Sequence, residues 1–312
     1  MIRRVLVLRL FFVFCLSGLL GCASQPQNDS TTKSTNTLEG DTPQSSVRSF
    51  GGIVLGEPVA VTRDFGGNVL IADRAPGQVV HLLLDLDEAV EFDQPPSPTG
   101  FSPVDLKTSG FFVYVVDPIE RAVLRFYKTG SYLDVLIDLE DRFPGRRVTP
   151  SGLDVDGSGR IALTDVKNHE IIIFNPYLDV ELQFGNYGRF AGQFDAPQGV
   201  SFGPGDVILV TDTGNRRVQV FDPDGGFVRM IPAEGAPNPM KRPRRSAMNS
   251  EGWVFVADPE AGVVLVFDEN GELTRQIVPA GVDRFQPTGI ALAPNGIIYV
   301  TDQATSSLYT FK

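Results

Sequence analysis

One aspartate closes a short β-branched run six times along this chain: Asp73 after VLIA, Asp117 after VYVV, Asp165 after IALT, Asp212 after ILVT, Asp258 after VFVA and Asp302 after IYVT. The intervals are 44, 48, 47, 46 and 44 residues. Two further columns keep the same register. A proline stands 14 or 15 residues ahead of each Asp, at Pro58, Pro103, Pro150, Pro197, Pro243 and Pro287. Nine residues behind each Asp an alternating run ends at Leu82, Phe126, Phe174, Phe221, Phe267 and Phe311. Three columns in register over six copies define a structural repeat, in which each unit buries its apolar faces only against its neighbours.

Within each copy the pattern predicts four short strands. Gly, Asn and Asp mark the turns between them, as in Asp156-Gly157, Pro204-Gly205, Asn270-Gly271 and Asn295-Gly296. Four-stranded units at this period stack radially, so the expected fold is all-β, a six-bladed β-propeller. The sixth copy runs out one residue after Phe311 and therefore lacks its fourth strand. An open edge of this kind must be covered. The segment SVRSFGGIVL, Ser46 to Leu55, has strand composition and precedes the first proline. It is expected to be the outer strand of the last blade and so to close the ring.

The stretch GQFDAPQGVSFGPGDVILVTDTGNRRVQVFDPDGG, Gly192 to Gly226, resembles an NHL repeat, and Asn168-His169 keeps the Asn-His of that name. The resemblance spans Ser46 to Lys312, closest in blades 3 and 4 and looser in blades 1 and 2.

Ahead of the repeats, Arg3, Arg4 and Arg9 lead into the apolar stretch Leu10 to Leu20, too short for a permanent membrane span and expected to be an export signal over residues 1–21. Leu19-Leu20-Gly21-Cys22 resembles the lipobox of bacterial lipoproteins, which implies lipidation of Cys22. An ordinary cleaved signal with an incidental Cys is the alternative. Ala23 and Ser24 follow in place of an Asp, which by the same resemblance implies the outer membrane. Residues 22–45 are rich in Ser, Thr, Asn, Gln and Pro and read as a disordered tether, leaving 46–312 as the propeller. Cys15 would leave with the signal and Cys22 would be lipid-blocked, so no disulfide is expected to staple the fold. Without the three signal arginines, 24 Lys and Arg face 38 Asp and Glu, a net charge of −14 that opposes general nucleic-acid binding.

The six column aspartates look catalytic in isolation, but a role repeated in every blade is architectural, and Asp at a strand end accepts N–H bonds from the following turn. Asp154-Val155-Asp156-Gly157-Ser158-Gly159 resembles a calcium loop without its distal Glu. His81 and His169 are the only histidines, too few for a His-rich zinc site. No nucleophile elbow marks an activated Ser, and no cofactor is expected. A calcium- or divalent-ion-dependent hydrolase or lyase resembling gluconolactonase needs only carboxylates near the axis, here Asp105 and Asp154, and stays open as the alternative.

Most second and fourth residues after the prolines, on the predicted inner strands, are small. Asp105, Lys107, Asp154 and Arg245 are exceptions, readable as an ion-paired plug or as the floor of a polar pocket. Strand alternation then sorts the loops onto two faces. One collects Arg216, Arg217, Lys241, Arg242, Arg244 and Arg245, with Arg146 and Arg147 further round; the other collects Asp85, Asp87, Glu88, Asp222, Asp224, Asp268 and Glu269. The basic rim is either a solvated loop set or a steering surface for anions. The expectation is a monomeric, envelope-anchored binding or assembly scaffold. It would bind a protein or an anionic glycan or envelope component, bind no nucleic acid, and meet the membrane through its lipid anchor only.

Overall fold

The computed structural model describes residues 42–83 and 88–312. The expected signal, Cys22 and almost all of the tether lie outside the described residues, as do Asp85 and Asp87. Six four-stranded antiparallel sheets follow one another along the chain, with inner strands Pro58–Arg63, Asp105–Ser109, Pro150–Val155, Gly199–Phe202, Arg245–Met248 and Pro287–Leu292. Neighbouring inner strands touch all the way round, including the last against the first. The ring of blades is therefore closed. Blade 4 shows the plan: Gly199–Phe202, Ile208–Asp212, Arg217–Phe221 and Phe227–Ile231 pair in chain order, with Gly199 opposite Thr211 and Asp212 opposite Arg217. Among the described residues the only α-helix is the single turn Leu139–Arg142, capped by the Asp138 carboxylate.

The second strand of each blade reads as an unbroken apolar run because both its faces are buried. In Val69–Asp73, Leu70 and Ala72 join a cluster with blade 2 while Val69 and Ile71 join one with blade 6. Six such clusters fill the six seams between blades. The column of aromatic residues is the wedge of each seam. Phe126, Phe174, Phe221, Phe267 and Phe311 are all buried, and each packs with residues of the preceding blade.

The closing seam differs. Only Ser45–Val47 forms the outer strand of blade 6, with Ser45 opposite Thr310 and Val47 opposite Leu308. The rest of the expected strand does not continue the ladder: it turns at Gly51-Gly52 into a small hairpin of Ser49–Phe50 and Ile53–Val54. Both glycines have left-handed φ, 55° and 85°, which end an extended strand and which side chains other than Gly rarely adopt. A Cβ on Gly51 would lie 2.5 Å from the Ala89 nitrogen, so the hairpin sits directly against the outer strand of blade 1. Its Phe50 and Ile53 pack onto the cluster of Leu55, Leu82, Tyr299 and Leu308. Here the column residue is Leu82, smaller than the Phe of the other blades, and the hairpin supplies the missing aromatic volume. Leu82→Phe is expected to overpack this seam and lower stability by about 1–3 kcal/mol. Combining it with Phe50→Ala should recover part of that loss, a coupling that a double-mutant cycle in urea measures.

Candidate functional site

The loops of one face are built on the column aspartates. Asp258 accepts the N–H groups of Lys241 and Arg242 from the lead-in loop and of Ala261 from the following turn. Asp73, Asp165, Asp212 and Asp302 likewise clamp Gly56 and Glu57, Thr149, Asp195 and Gln286, and Asp117 holds Ser102. All six are buried. Burial pushes Asp117 and Asp212 above the usual carboxylate range, against the pull of these N–H donors. Four residues beyond each column Asp the turn passes through left-handed φ: Gly77, Arg121, His169, Arg216, Gly262 and Ser306 share the position. His169 and Arg216 therefore occupy equivalent sites. The Nδ1 of His169, in blade 3, accepts the Ala196 N–H at 2.9 Å, and His81 lies buried in blade 1 beside Asp64.

The predicted basic rim divides by depth. Arg216, Lys241 and Arg242 are exposed, and their loops join through Asn238, whose Nδ2 donates to the Arg216 carbonyl at 2.8 Å. Arg217 is not on this surface. Its strand position turns it into the blade, where it pairs with Asp212 at 2.8 Å and donates to the carbonyls of Arg189, Phe190 and Gln193. It thereby holds the loop before blade 4. That loop presents Tyr187 and Phe190, 66% and 80% exposed, which strand alternation did not single out; two aromatics outside any predicted strand were the available signal. Arg189, Lys167 and Arg147 are exposed nearby in sequence or on adjoining turns, whereas Arg146 is drawn in by Asp165 and Glu170.

Arg245 lies inside the channel. Its Nη atoms donate to the carbonyls of Gln198, Arg244, Val104 and Ser151, and its Nε stands 3.1 Å from Asp105. One side chain thus bridges blades 2 to 5. Lys107 pairs with Asp154 at 2.7 Å. The carboxylates also link blades, since Asp105 accepts the Leu153 N–H and Asp154 the Phe202 N–H. Burial raises Asp105 above its ordinary range, with Arg245 opposing. Burial also opposes the Lys107 charge, but Asp154 more than offsets it and holds the ammonium above its usual value. The four charges form two cross-blade ion pairs. Among the described residues no group of three or more His, Cys, Asp or Glu is placed to hold a metal ion, and the Asp156 turn is closed instead by Arg160 and Ser158.

Arg245 lines two cavities that open on opposite faces. On the face of Phe65, Phe202 and Met248 lies a funnel of about 820 Å³, with Lys107, Asp154 and Asp156 among its polar groups. On the rim face lies a smaller cavity of about 200 Å³, bounded by the residue after each column proline: Val59, Val104, Ser151, Gln198, Arg244 and Thr288. Arg244 is half-buried here. Burial first, then the guanidiniums of Arg245, Arg242 and Arg74, lower it to about 10, with the Glu57 carboxylate opposing.

Residues 194–221, the first three strands of blade 4 with their lead-in, match the NHL repeat. The chain is similar to Protein brain tumor of Drosophila melanogaster, 28% identical over 131 residues, which is 41% of this chain and 12% of that protein. It is also similar to the E3 ubiquitin-protein ligase NHLRC1 of Rattus norvegicus, 30% identical over 132 residues, 41% of this chain and 31% of the ligase. The chain thus spans a third or less of the length of these relatives. Among solved structures, a gluconolactonase from Xanthomonas campestris superposes with a TM-score of 0.66 at 15% identity, covering 88% of this chain and 95% of that one. At that identity the likeness is one of fold.

Two outcomes follow for the rim face. Asp258→Asn replaces one of the two carboxylate oxygens that three N–H donors share, and is expected to lower stability by about 1–3 kcal/mol while speeding amide exchange at Lys241 and Arg242. Arg244 titrates lower in the folded chain than when unfolded, so its charge is held at a disadvantage at neutral pH. Arg244→Met is accordingly expected to be more resistant to urea than the wild type at pH 7, with the advantage shrinking as pH rises through about 10.

Proposed function

We propose that this protein is a lipid-anchored binding scaffold of the bacterial cell envelope. In this reading it is tethered through Cys22 and recognises an acidic protein partner on the rim of blades 3 to 5. The observation that supports this reading is the joined surface of three loops. Arg217 and Asn215 fasten the Asn186–Asp195 loop to blade 4, and Asn238 fastens the blade 5 lead-in to Arg216. On it, Arg189, Arg216, Lys241 and Arg242 stand exposed with Tyr187 and Phe190. Aromatic anchors beside exposed cations suit protein recognition, and a local positive field on a chain of net charge −11 steers acidic partners to one place. That two of the similar proteins are ubiquitin-protein ligases and thus address protein substrates favours a protein over a glycan. The outer-membrane location rests on the sequence around Cys22 alone.

Full-length protein extracted from membranes in mild detergent should retain its partner at low salt and lose it as ionic strength shortens the Debye length to below about 8 Å. The triple change Arg216→Glu, Lys241→Glu and Arg242→Glu should abolish retention without lowering the unfolding midpoint. Arg217 is left intact because it is structural. Partner retained by the triple variant would move the site elsewhere. Cys22→Ser should shift the protein from the membrane to the soluble fraction. On the divalent-ion alternative Asp105 and Asp154 would have to leave Arg245 and Lys107; calcium is therefore expected to leave the unfolding midpoint unchanged.

A further inference from the structure

The rim-face cavity contains an imbalance that the fold does not need. Arg74 is held bidentately by Glu57, and Arg245 faces Asp105 while donating to four carbonyls. Each of those cations is matched. Arg244 is not: its guanidinium donates a single long hydrogen bond, from Nη1 to the Gln198 Oε1 at 3.4 Å, and among the described residues no carboxylate lies within 4 Å of it. Its backbone is fixed, with N–H donated to the Ala257 carbonyl and its own carbonyl taken by Arg245. The side chain is thus presented at a set place. A half-buried guanidinium with five donors and one weak protein partner keeps its remaining donors open to whatever enters the cavity, where an anion would find little competition from the protein.

The remaining lining describes the missing group. Val59, Val104, Val166, Pro118 and Pro150 supply the apolar half of the lining, beside Thr149 and Gln198, and the hydroxyls of Ser151 and Thr288 are already donated to the Gln198 and Pro58 carbonyls. One unmatched positive charge calls for one negative charge, and the apolar half of the lining calls for hydrocarbon. At about 200 Å³, the cavity falls below the roughly 300–1,000 Å³ of pockets for drug-sized ligands. We propose that this mouth of the channel binds a short aliphatic monocarboxylate, its carboxylate on the Arg244 guanidinium and its hydrocarbon against the valines and prolines. A planar carboxylate accepts two parallel N–H bonds from one guanidinium, a fit that fixes orientation as well as charge. The site is independent of the rim reading, since Arg216, Lys241 and Arg242 do not line it.

The test is titration of the full chain with butyrate, butyramide and inorganic phosphate, followed by calorimetry and by the unfolding midpoint. Butyrate should bind saturably and raise the midpoint; butyramide, of the same shape without the charge, should not. Arg244→Met should weaken butyrate about 10- to 100-fold, the range expected for losing hydrogen bonds to a charged group, and Arg244→Gln, polar but uncharged, should weaken it likewise. Arg216→Glu should leave butyrate binding as in wild type. The proposal is overturned if butyramide matches butyrate, if phosphate alone binds, if butyrate binding survives loss of the Arg244 guanidinium, or if it is abolished by Arg216→Glu.

Discussion

A three-residue ladder holds the ends of this ring together. Each blade exposes two apolar faces, and a propeller is stable only if every face meets another. Five of the six seams are covered by blades consecutive in the chain. The sixth requires Ser45–Val47 to pair with Leu308–Thr310 and the Ser49–Val54 hairpin to fill the space beside Leu82. Unzipping it would expose Val61, Ile71 and Val80 on one side and Tyr299 and Leu308 on the other. That loss is shared by the whole ring, because the inner strands lean on one another in a closed circle.

The axis presents a second constraint. An inner strand pairs on one edge only, and its other edge would leave backbone groups facing a narrow channel. Side chains from neighbouring blades satisfy them instead. Asp105 reaches Leu153, Asp154 reaches Phe202, Thr108 reaches the Arg63 carbonyl, Ser201 the Ser246 carbonyl and Thr288 the Pro58 carbonyl. Arg245 does this for four carbonyls at once. Charged groups are tolerated at the axis because they replace a missing ladder and because each faces an opposite charge.

Depth also decides what each arginine does. Arg217 and Arg245 point inward from strands, find buried carboxylates and carbonyls, and act as struts. Arg216 sits in a left-handed turn and Arg242 in a loop whose N–H groups are taken by Asp258, and both side chains are exposed to solvent. Arg244 lies between these cases, half-buried at the cavity mouth and without an ion-pair partner among the described residues. The chemistry of the rim face is thus graded from screened cations at its edge to one unmatched cation at its centre.

The six blades, the four-strand meander, the structural role of the column Asp and the need for an N-terminal closing strand were all legible in the sequence, because they repeat and repetition exposes local pattern. The charges at the axis were legible for the same reason: Asp105, Lys107, Asp154 and Arg245 interrupt a column of small residues. Neighbouring positions in one loop, by contrast, look alike until the chain is folded. Arg216 and Arg217 differ by one residue and by a flip of side-chain direction that only strand register assigns. The hairpin at Gly51-Gly52 likewise depends on contact with Ala89, and the isolation of Arg244 on which carboxylates failed to reach it, both set by packing between segments distant in sequence. Local hydrophobic periodicity determines which elements form. Long-range packing determines which charges are buried, which are paired and which stay unpaired at the surface.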